Sequence, residues 1–456
     1  MDIQALVNAQ RTFFQTGATL PLPARRAALK RLGEAVRARE ADVSAALLSD
    51  LNKSPTESYM CEVGMTLSEL GYVLRHLDHW AKDKLRPTPL AQFPAKSFTA
   101  ADPYGVVLIM SPWNYPFLLA MEPLIGAIAA GNCCVVKPSA YSPAVSAVLR
   151  SLLAECFPAE FVTVVEGGRA ENQALLDQKF DYIFFTGSTA VGKEVMAKAA
   201  AHLTPVTLEL GGKSPCIVDT TAKLNLAAKR IVFGKLINCG QTCVAPDYLL
   251  IHRRVKDRFL AYVKRWITVM YGTNALDNDG YVRMVNQKHY DRVMSLIDLN
   301  KVVFGGRGDP DTLKIQPTIL DNVSPEDAVM QEEIFGPVLP VLTFDRVEEA
   351  LDFVNTRPHP LALYLFSQDK QVQELFLRRA SFGGGCINDT IIHLATSHMG
   401  FGGVGNSGMG SYHGRQSFDT FSHRKSIVQK STLVDLPVRY VPYTPSKSKL
   451  LRLFLR

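Results

Sequence analysis

The sequence lacks the spacings by which metal sites, disulfide frameworks and membrane spans are recognised. Its eight cysteines, at positions 61, 133, 134, 156, 216, 239, 243 and 386, form no CxxC pair and no cysteine–histidine cluster, so no metal site is expected. The longest apolar stretch, residues 105–131, is interrupted by prolines, Asn114 and Glu122, which predicts a strand, a loop and a helix and no transmembrane segment. The first ten residues, MDIQALVNAQ, lack a signal pattern, and free thiols in a reducing cytoplasm are the expectation.

The chain has no strong excess of charge of either sign. The formal net charge of +7 over 456 residues is modest, and Lys and Arg form no dense basic stripe with interleaved aromatic residues. Nucleic-acid binding is therefore disfavoured, whereas a phosphate-bearing small ligand suits the charge balance. With 47% hydrophobic and 20% charged residues the chain is typical of a globular protein, and its length predicts two or three domains.

Residues 441–456 form a basic C-terminal tail that ends in the run LLRLFLR. It carries Lys447, Lys449, Arg452 and Arg456. The apolar run is too short to cross a bilayer. Two interpretations stay open, contact with a membrane surface and an ordinary solvated tail, and the second is favoured.

Strand and helix patterns alternate regularly after a helical first hundred residues, where LPARRAALKRLGEAVRAREADVSAALLSDL has apolar residues at helical spacing. The predicted strands are VVLIM, CCVVK, FVTVVEG, DYIFFTG and VTLELGG, then, after Gly212, CIVD, YLLIHR, KVVFGG, ILDNV and VLPVLTF. Helical patterns lie between most of them. This alternation predicts an α/β protein with a doubly wound, mostly parallel sheet. Residues 401–414 are predicted to be a glycine-rich loop.

Three glycine patterns compete as phosphate sites, and one of them, LGG at Gly211 and Gly212, is better explained as a tight turn beside Glu209. GSTAVGK, residues 187–193, matches most of a P-loop, but Glu194 stands where a P-loop requires Ser or Thr, so a nucleotide hydrolase is disfavoured. The turn can still present backbone amides and a helix N-terminus to a pyrophosphate. GVGNSG, residues 403–408, has no strand before it and no helix after it, which favours a mobile loop.

Three side chains in separate runs suit covalent catalysis. Cys243 lies among small and polar residues in NCGQTCVAPDY, Glu209 precedes the glycines of TLELGGKSP, and Asn114 lies in SPWNYPF. A thiol, a carboxylate and an amide supply a nucleophile, a base for water and an oxyanion donor. Each also has an ordinary alternative: a buried inert thiol, a salt-bridged carboxylate and a turn-capping amide. Lys137, at the end of a predicted strand, faces a ligand or is an ordinary strand-end lysine.

Seven motifs that follow one another along the chain favour the catalytic interpretation of these residues over the ordinary one. PWNYP, KPSxxxP, FTGSTxVG, LELGGKSP, GQTCVAP, EEIFGPV and FGGVGNSGMGSYHG span most of the chain. Together they resemble the aldehyde dehydrogenase superfamily, most closely its class 3 branch of fatty and aromatic aldehyde dehydrogenases. The resemblance implies two doubly wound parallel-sheet domains, a Rossmann-like dinucleotide-binding domain (residues 1–84 and 103–208) and a catalytic domain (residues 209–416). It also implies a small β oligomerisation arm (residues 85–102 and 417–440) and a homodimer.

The resemblance further implies a role for each matched residue. Cys243 would be the nucleophile, Glu209 the base that activates water, and Asn114 with the Cys243 amide the oxyanion hole. The implied cofactor contacts are Lys137 (adenosine ribose), Trp113 (cleft wall), Gly187 and Ser188 (pyrophosphate turn), Gly192 (close helix packing), Glu333 (nicotinamide ribose) and Phe335 (nicotinamide ring). The implied reaction is oxidation of an aldehyde to its acid through a thioester, with NADP or NAD as the cofactor.

One departure from the family pattern bears on the cofactor. Ala140 stands where the family often has Glu, three residues after the lysine of KPS, so the carboxylate that repels a 2′-phosphate is absent. We therefore expect NADP to be accepted well. Leu119, Phe401 and residues 391–395 are expected to face the aldehyde, which favours an apolar aliphatic or aromatic substrate. A CoA-acylating dehydrogenase and a non-catalytic binding protein of the same fold stay as alternatives.

Overall fold

The computed structural model describes residues 2–455, without the side chain of Phe454. Its longer helices are Ile3–Gln15, Leu22–Ala38, Glu40–Leu51, Gly64–Ala81, Leu118–Ala130, Pro143–Cys156, Arg169–Leu176, Thr189–Ala200, Leu224–Leu236, Lys256–Tyr271, Gln287–Ser295, Val347–Asn355, Lys370–Arg379, Gly414–Thr420 and Pro445–Phe454. A short helix, Pro55–Ser58, leads into a π-helical turn, Tyr59–Val63, directly before Gly64–Ala81. The predicted helix across residues 22–51 is two helices, which meet where Arg39 leaves the helical backbone conformation.

A six-stranded sheet forms the first layer of the α/β core. In spatial order its strands are Gly408–Met409, Val206–Glu209, Tyr182–Thr186, Val106–Met110, Cys133–Lys137 and Val162–Val164. All neighbours are parallel except Gly408–Met409, which pairs antiparallel with Val206–Glu209. The apolar runs form strands here because helices cover both faces of the sheet. The order of the five parallel strands reverses beside Val106–Met110, and such a reversal opens a crevice at the carboxyl ends of the strands.

A seven-stranded sheet forms the second α/β unit. In spatial order its strands are Val302–Phe304, Thr318–Leu320, Val338–Phe344, Tyr248–His252, Pro215–Val218, Ala362–Phe366 and Gly384–Ile387. Only Val302–Phe304 runs antiparallel to its neighbour. A two-stranded ribbon joins Gly308–Asp309 to Lys314–Ile315. The doubly wound α/β fold expected from the strand–helix alternation is thus confirmed.

A three-stranded antiparallel sheet lies apart from these two. Its strands are Lys84–Arg86, Ala95–Pro103 and Ser422–Lys430, and the last two pair from Ser422↔Pro103 to Lys430↔Ala95. The sheet falls in the segments expected to form the oligomerisation arm. The helix Gly414–Thr420 spans the predicted boundary at residue 417, and it packs against Leu118–Ala130. The domain boundaries themselves stay predictions.

Some elements differ from the sequence-based expectation. Ala362–Phe366 and Gly384–Ile387 are strands that were not predicted, the first a short apolar run and the second rich in glycine. The run GVGNSG was expected to be a loop, but its last residue begins the edge strand Gly408–Met409. This edge strand forms because it pairs with Val206–Glu209, which lies far earlier in the sequence. No local sequence pattern indicates such a pairing.

Two searches concern the described residues 2–455 alone. No helix in that range is both long and apolar enough to cross a membrane. No group of three or more His, Cys, Asp or Glu side chains in that range is placed to hold a metal ion. In the basic tail, Pro445–Phe454 is helical and is capped by Thr444. Arg456, the last cation predicted there, lies outside the described residues.

Candidate active site

A cavity of about 710 Å³ opens where the strand ends of the first sheet meet the loops of the second unit. Eight of the ten predicted site residues line it, namely Trp113, Asn114, Gly187, Ser188, Glu209, Cys243, Glu333 and Phe335. They come from segments far apart in the sequence, and most follow the carboxyl end of a strand. Convergence of thiol, carboxylate and amide on one cavity is the arrangement that covalent catalysis needs.

Cys243 lies in a loop that begins with strained backbone. The helix Leu224–Leu236 ends in a turn in which Asn238 and Cys239 have φ values of 52° and 55°, so the chain turns sharply shortly before Cys243. Cys243 is half-buried. Burial, followed by the nearby carboxylates of Glu333 and Glu209, raises the pKa of its thiol to about 12, against a smaller opposing effect of nearby backbone N–H groups. The thiol is therefore neutral in this conformation.

Glu209 ends the strand Val206–Glu209 and is 2% exposed. Among the described residues neither carboxylate oxygen has a hydrogen-bond partner. Burial raises its pKa well above the usual range, since nothing compensates the charged form. The Gly187 N–H donates to its main-chain oxygen at 3.0 Å, which joins the two turns of the cavity. An unpartnered buried carboxyl facing a cavity is available to a water molecule.

The amide of Asn114 has a fixed orientation. Its Nδ2 donates to the carbonyl oxygen of Gln241 at 3.0 Å, and its main-chain oxygen accepts from the Asn238 Nδ2 at 2.8 Å. Asn114 is 2% exposed. The Gln241 bond uses one N–H of the amide, so the second stays available as a donor. A hydrogen bond thus joins residues 111–117, the expected oxyanion loop, to residues 237–247, the expected nucleophile loop.

The residues on one side of the cavity fit a dinucleotide. The Glu333 carboxylate packs against the backbone of Gly211, where a Cβ atom would collide with it, and burial raises its pKa to about 8 despite a hydrogen bond from Gly212. Phe335 is held at φ 51° with its ring edge-on to Trp113, 5.4 Å between centroids. A carboxylate and an aromatic pair suit a ribose and a flat ring.

The turn at Gly187 and Ser188 begins the helix Thr189–Ala200, and Ser188 caps that helix. Both residues line the cavity, as an anion site at a helix N-terminus requires. Gly192 lies behind them and does not line it. A Cβ on Gly192 would come within 2.6 Å of the Leu210 side chain, so its absence permits close contact between helix and strand.

Lys137 is the second predicted residue that does not line the cavity. It is 3% exposed, and its Nζ donates to the oxygens of Pro138 and Gly167 at 2.8 and 2.7 Å. Burial lowers its pKa to about 8, against the attraction of Glu171 and Glu166. Those two carboxylates were missed in the sequence because they lie 34 and 29 residues away. The ammonium therefore uses two of its three N–H donors in hydrogen bonds within the protein.

Comparison with known proteins identifies the family. The model of the aldehyde dehydrogenase family matches residues 1–427. The chain belongs to the aldehyde dehydrogenase family. The 4,4'-diaponeurosporen-aldehyde dehydrogenase of Staphylococcus aureus is 48% identical over 448 residues, which cover 98% of this chain and 97% of that protein. The dimeric, NADP-preferring aldehyde dehydrogenase of Mus musculus is 43% identical over 99% of each chain. The substrate-bound structure of Staphylococcus aureus AldH superposes with a TM-score of 0.97 at 47% identity, covering 100% of both chains.

These relatives confirm the class 3-like assignment made from the seven motifs. The protein is an oxidoreductase that oxidises aldehydes to acids with NADP or NAD. A non-catalytic role for the chain is thereby excluded. The first relative is named for its aldehyde and the second for its dimeric state and its preference for NADP, and these properties do not pass to this dehydrogenase without further argument.

The other side of the dehydrogenase cavity is mostly apolar. Of the residues expected to face the aldehyde, Leu119, Phe401, Ile391, Ile392, Leu394 and Ala395 line it, whereas His393 does not. The cavity is also lined by five residues that belong to none of the motifs, Met60, Cys61, Met65, Phe233 and Ile237. A buried polar pair interrupts this surface, with His413 Nε2 3.2 Å from Glu122 Oε2.

Two further residues, next to the side of the cavity that fits a dinucleotide, were not identified from the sequence. His289 packs on Trp113 at 4.9 Å between centroids, and burial lowers its pKa to about 4, so it is neutral. Arg292 donates to the main-chain oxygens of Glu333 and Ile334 at 3.2 and 2.6 Å and so holds the loop that carries Glu333. Both lie on the helix Gln287–Ser295, outside every motif, and only their contacts reveal them.

Proposed function

We propose that Cys243 is the nucleophile of this aldehyde dehydrogenase. Its sulfur attacks the carbonyl carbon, a C–S bond forms, and the π electron pair moves to oxygen. The thiol proton passes to water before the attack, because only the thiolate is an effective nucleophile. The observation that carries the proposal is that Cys243, Glu209 and Asn114 line one cavity.

Asn114 and the Cys243 backbone amide are the proposed oxyanion donors. The free N–H of Asn114 is held in place by the Gln241 bond of its other N–H. Such a donor is preorganised and contributes about 3–4 kcal/mol in comparable sites. When the C=O bond re-forms, the carbon gives up its hydrogen as hydride and the product is a thioester on Cys243.

Glu209 is the proposed base for hydrolysis of that thioester. It takes a proton from water as the oxygen attacks the acyl carbon, and the Cys243 thiolate leaves. Only the ionised carboxyl can do this. Since burial raises the pKa of Glu209, the active fraction grows as pH rises, and hydrolysis is expected to accelerate with pH.

Glu333, Phe335, Trp113, Gly187 and Ser188 are the proposed residues of the cofactor site. Bound NADP or NAD supplies the acceptor for the hydride. Glu333 would accept hydrogen bonds from a ribose, and Arg292 would keep its loop in position. For Lys137 and Gly192, which do not line the cavity, the proposed contributions are a nearby positive charge and close helix packing.

The apolar lining supports an apolar aliphatic or aromatic aldehyde as the substrate. The Staphylococcus aureus relative is named for a diaponeurosporen aldehyde, which agrees with a lining that is apolar. The test is reduction of NADP and NAD with hexanal and benzaldehyde, with Cys243→Ala as the control. Reduction by the wild type and none by the variant is expected. Equal residual rates in both would contradict the proposal.

The homodimer and a cytoplasmic location are also proposals. The arm sheet exposes Leu85 and Val428 by 67% and 53%, and a partner would cover them; the mouse relative is named as dimeric. Light scattering at micromolar concentration should give twice the mass of the chain. The eight cysteines are free, which suits a reducing compartment.

A further inference from the structure

A buried ion pair lies directly behind the oxyanion loop. The Nζ of Lys53 is 2.5 Å from Glu62 Oε1, and both side chains are completely buried. Lys53 follows the helix Glu40–Leu51, and Glu62 lies on the π-helical turn Tyr59–Val63. Such turns are frequent at functional sites because they displace one residue out of the helical register. None of the seven motifs includes either residue.

Glu62 binds the backbone that follows Asn114. Its Oε2 accepts from the N–H groups of Phe117 and Leu118 at 2.9 and 3.2 Å. These groups begin the helix Leu118–Ala130, whose first N–H groups have no partner within the helix. A carboxylate there is stabilised by the helix dipole as well. Glu62 therefore fixes where the oxyanion loop ends.

Lys53 binds the loop at Asn114 itself. Its Nζ lies 3.4 Å from the main-chain oxygen of Asn114 and 4.4 Å from the centre of the Tyr115 ring. The same oxygen accepts from the Asn238 Nδ2. The backbone N–H of Asn238 in turn donates to Glu57 Oε1 at 2.8 Å. The N-terminal segment thus holds both the oxyanion loop and the nucleophile loop.

We propose that Lys53 and Glu62 are positioning residues that hold the Asn114 amide in the orientation in which it stabilises the oxyanion. The role rests on the proposed function of Asn114. A pair that served stability alone could be replaced by apolar side chains. Here three of its hydrogen bonds go to the main chain of residues 114, 117 and 118, and so the pair determines the course of the loop on both sides of Asn114.

The first test compares a reaction that develops an oxyanion with one that does not. In Glu62→Gln, kcat/KM for hexanal with saturating cofactor should fall about 10-fold to 100-fold, because a misplaced donor loses most of its effect. Alkylation of Cys243 by iodoacetamide, which forms an S–C bond and expels iodide without an oxyanion, should change less than about twofold. The Kd of the cofactor should not change.

The matched control is Asp321→Asn, which breaks the Lys256–Asp321 ion pair (2.8 Å, 17% and 14% exposed) away from the cavity. It should leave both reactions unchanged. If Glu62→Gln does not fold, Lys53→Met combined with Glu62→Met removes both charges at once and leaves no unpaired buried charge. The same two reactions are then measured on that variant.

A double-mutant cycle separates positioning from general damage. If Glu62 acts through Asn114, then Glu62→Gln should cost less than about twofold in the Asn114→Ala background. Equal losses in both backgrounds, or equal slowing of alkylation, would overturn the inference. An Asn114→Ala enzyme of unchanged activity would refute the proposed oxyanion role instead, and an active Glu62→Gln beside an impaired Asn114→Ala would refute only the inference.

Discussion

Replacing Glu209 by Gln should separate the two halves of the reaction. The carboxyl is 2% exposed and its oxygens have no partner among the described residues. The amide of Gln has nearly the same shape, and burial raises the pKa of the carboxyl, which favours its neutral form. The exchange therefore breaks no ion pair or hydrogen bond within the described chain, and it removes only the group that can take a proton from water.

The size of the effect follows from the role. A positioned base contributes about 10²-fold to 10⁴-fold, or roughly 3–5.5 kcal/mol of barrier. Formation of the thioester does not use Glu209. Rapid mixing of the variant with aldehyde and cofactor should therefore give a burst of about one reduced cofactor per subunit, followed by a steady state slowed by that factor.

The control is Cys243→Ala, which should show no burst. An undiminished steady-state rate in Glu209→Gln would refute the role of Glu209 in hydrolysis. If that rate also depended on added CoA, an external acyl acceptor would replace water, as in CoA-acylating dehydrogenases. A variant without a burst would place Glu209 before the thioester, as the base for Cys243.

The same variant tests the buried state of Glu209 through stability. Above a pH of about 4.5 the unfolded chain releases the Glu209 proton, whereas the folded chain keeps it. The contribution of Glu209 to the free energy of unfolding should then fall as pH rises, by up to about 1.4 kcal/mol per pH unit, and Glu209→Gln lacks this contribution while it keeps those of all other groups. Urea unfolding at about pH 5 and about pH 7 should show that the free energy of unfolding of Glu209→Gln, relative to that of the wild type, is higher at the higher pH. A constant difference would mean that Glu209 is ionised in the fold.

Three further substitutions have distinct expectations. Glu333→Gln should weaken cofactor binding roughly tenfold, since it loses a charged acceptor; an unchanged Kd by fluorescence titration would contradict the ribose role. Ala140→Glu should lower kcat/KM for NADP about tenfold, by repulsion of the 2′-phosphate, and spare NAD; equal losses for both would argue against that mechanism. Gly192→Ala should destabilise the fold by about 1–3 kcal/mol, because its Cβ would lie 2.6 Å from the Leu210 side chain; an unchanged urea midpoint would show that Leu210 can move aside.

Much of the fold could be predicted because its strands are short apolar runs between polar or glycine residues. Val106–Met110 and Cys133–Lys137 have the predicted bounds, since each is buried throughout and ends at a break in the pattern. Gly384–Ile387 could not be predicted in this way. It becomes a strand because Ala362–Phe366 offers it a parallel edge, and that edge is a tertiary feature.

The residues of the candidate site divide in the same manner. The eight predicted residues that line the cavity sit in motifs whose order and spacing are visible in the chain, whereas His289 and Arg292 line it from outside every motif. Lys137 lies in such a motif as well, yet it does not line the cavity, because Pro138 and Gly167 accept hydrogen bonds from its ammonium. A motif identifies the residue at a position, but it does not show which groups of the folded protein bind the charged side chain.

Burial shifts the ionisation of the candidate catalytic side chains, which the motifs do not indicate. Desolvation raises the pKa values of both Cys243 and Glu209, and the Glu333 and Glu209 carboxylates further oppose ionisation of the Cys243 thiol. One thiolate beside one carboxylate would place two like charges in a poorly solvated space. In the proposed reaction, addition to the aldehyde needs the Cys243 thiolate and hydrolysis needs the Glu209 carboxylate, and no step needs both at once. During hydrolysis the sulfur carries an acyl group and no charge, so the carboxylate can then form without repulsion from it.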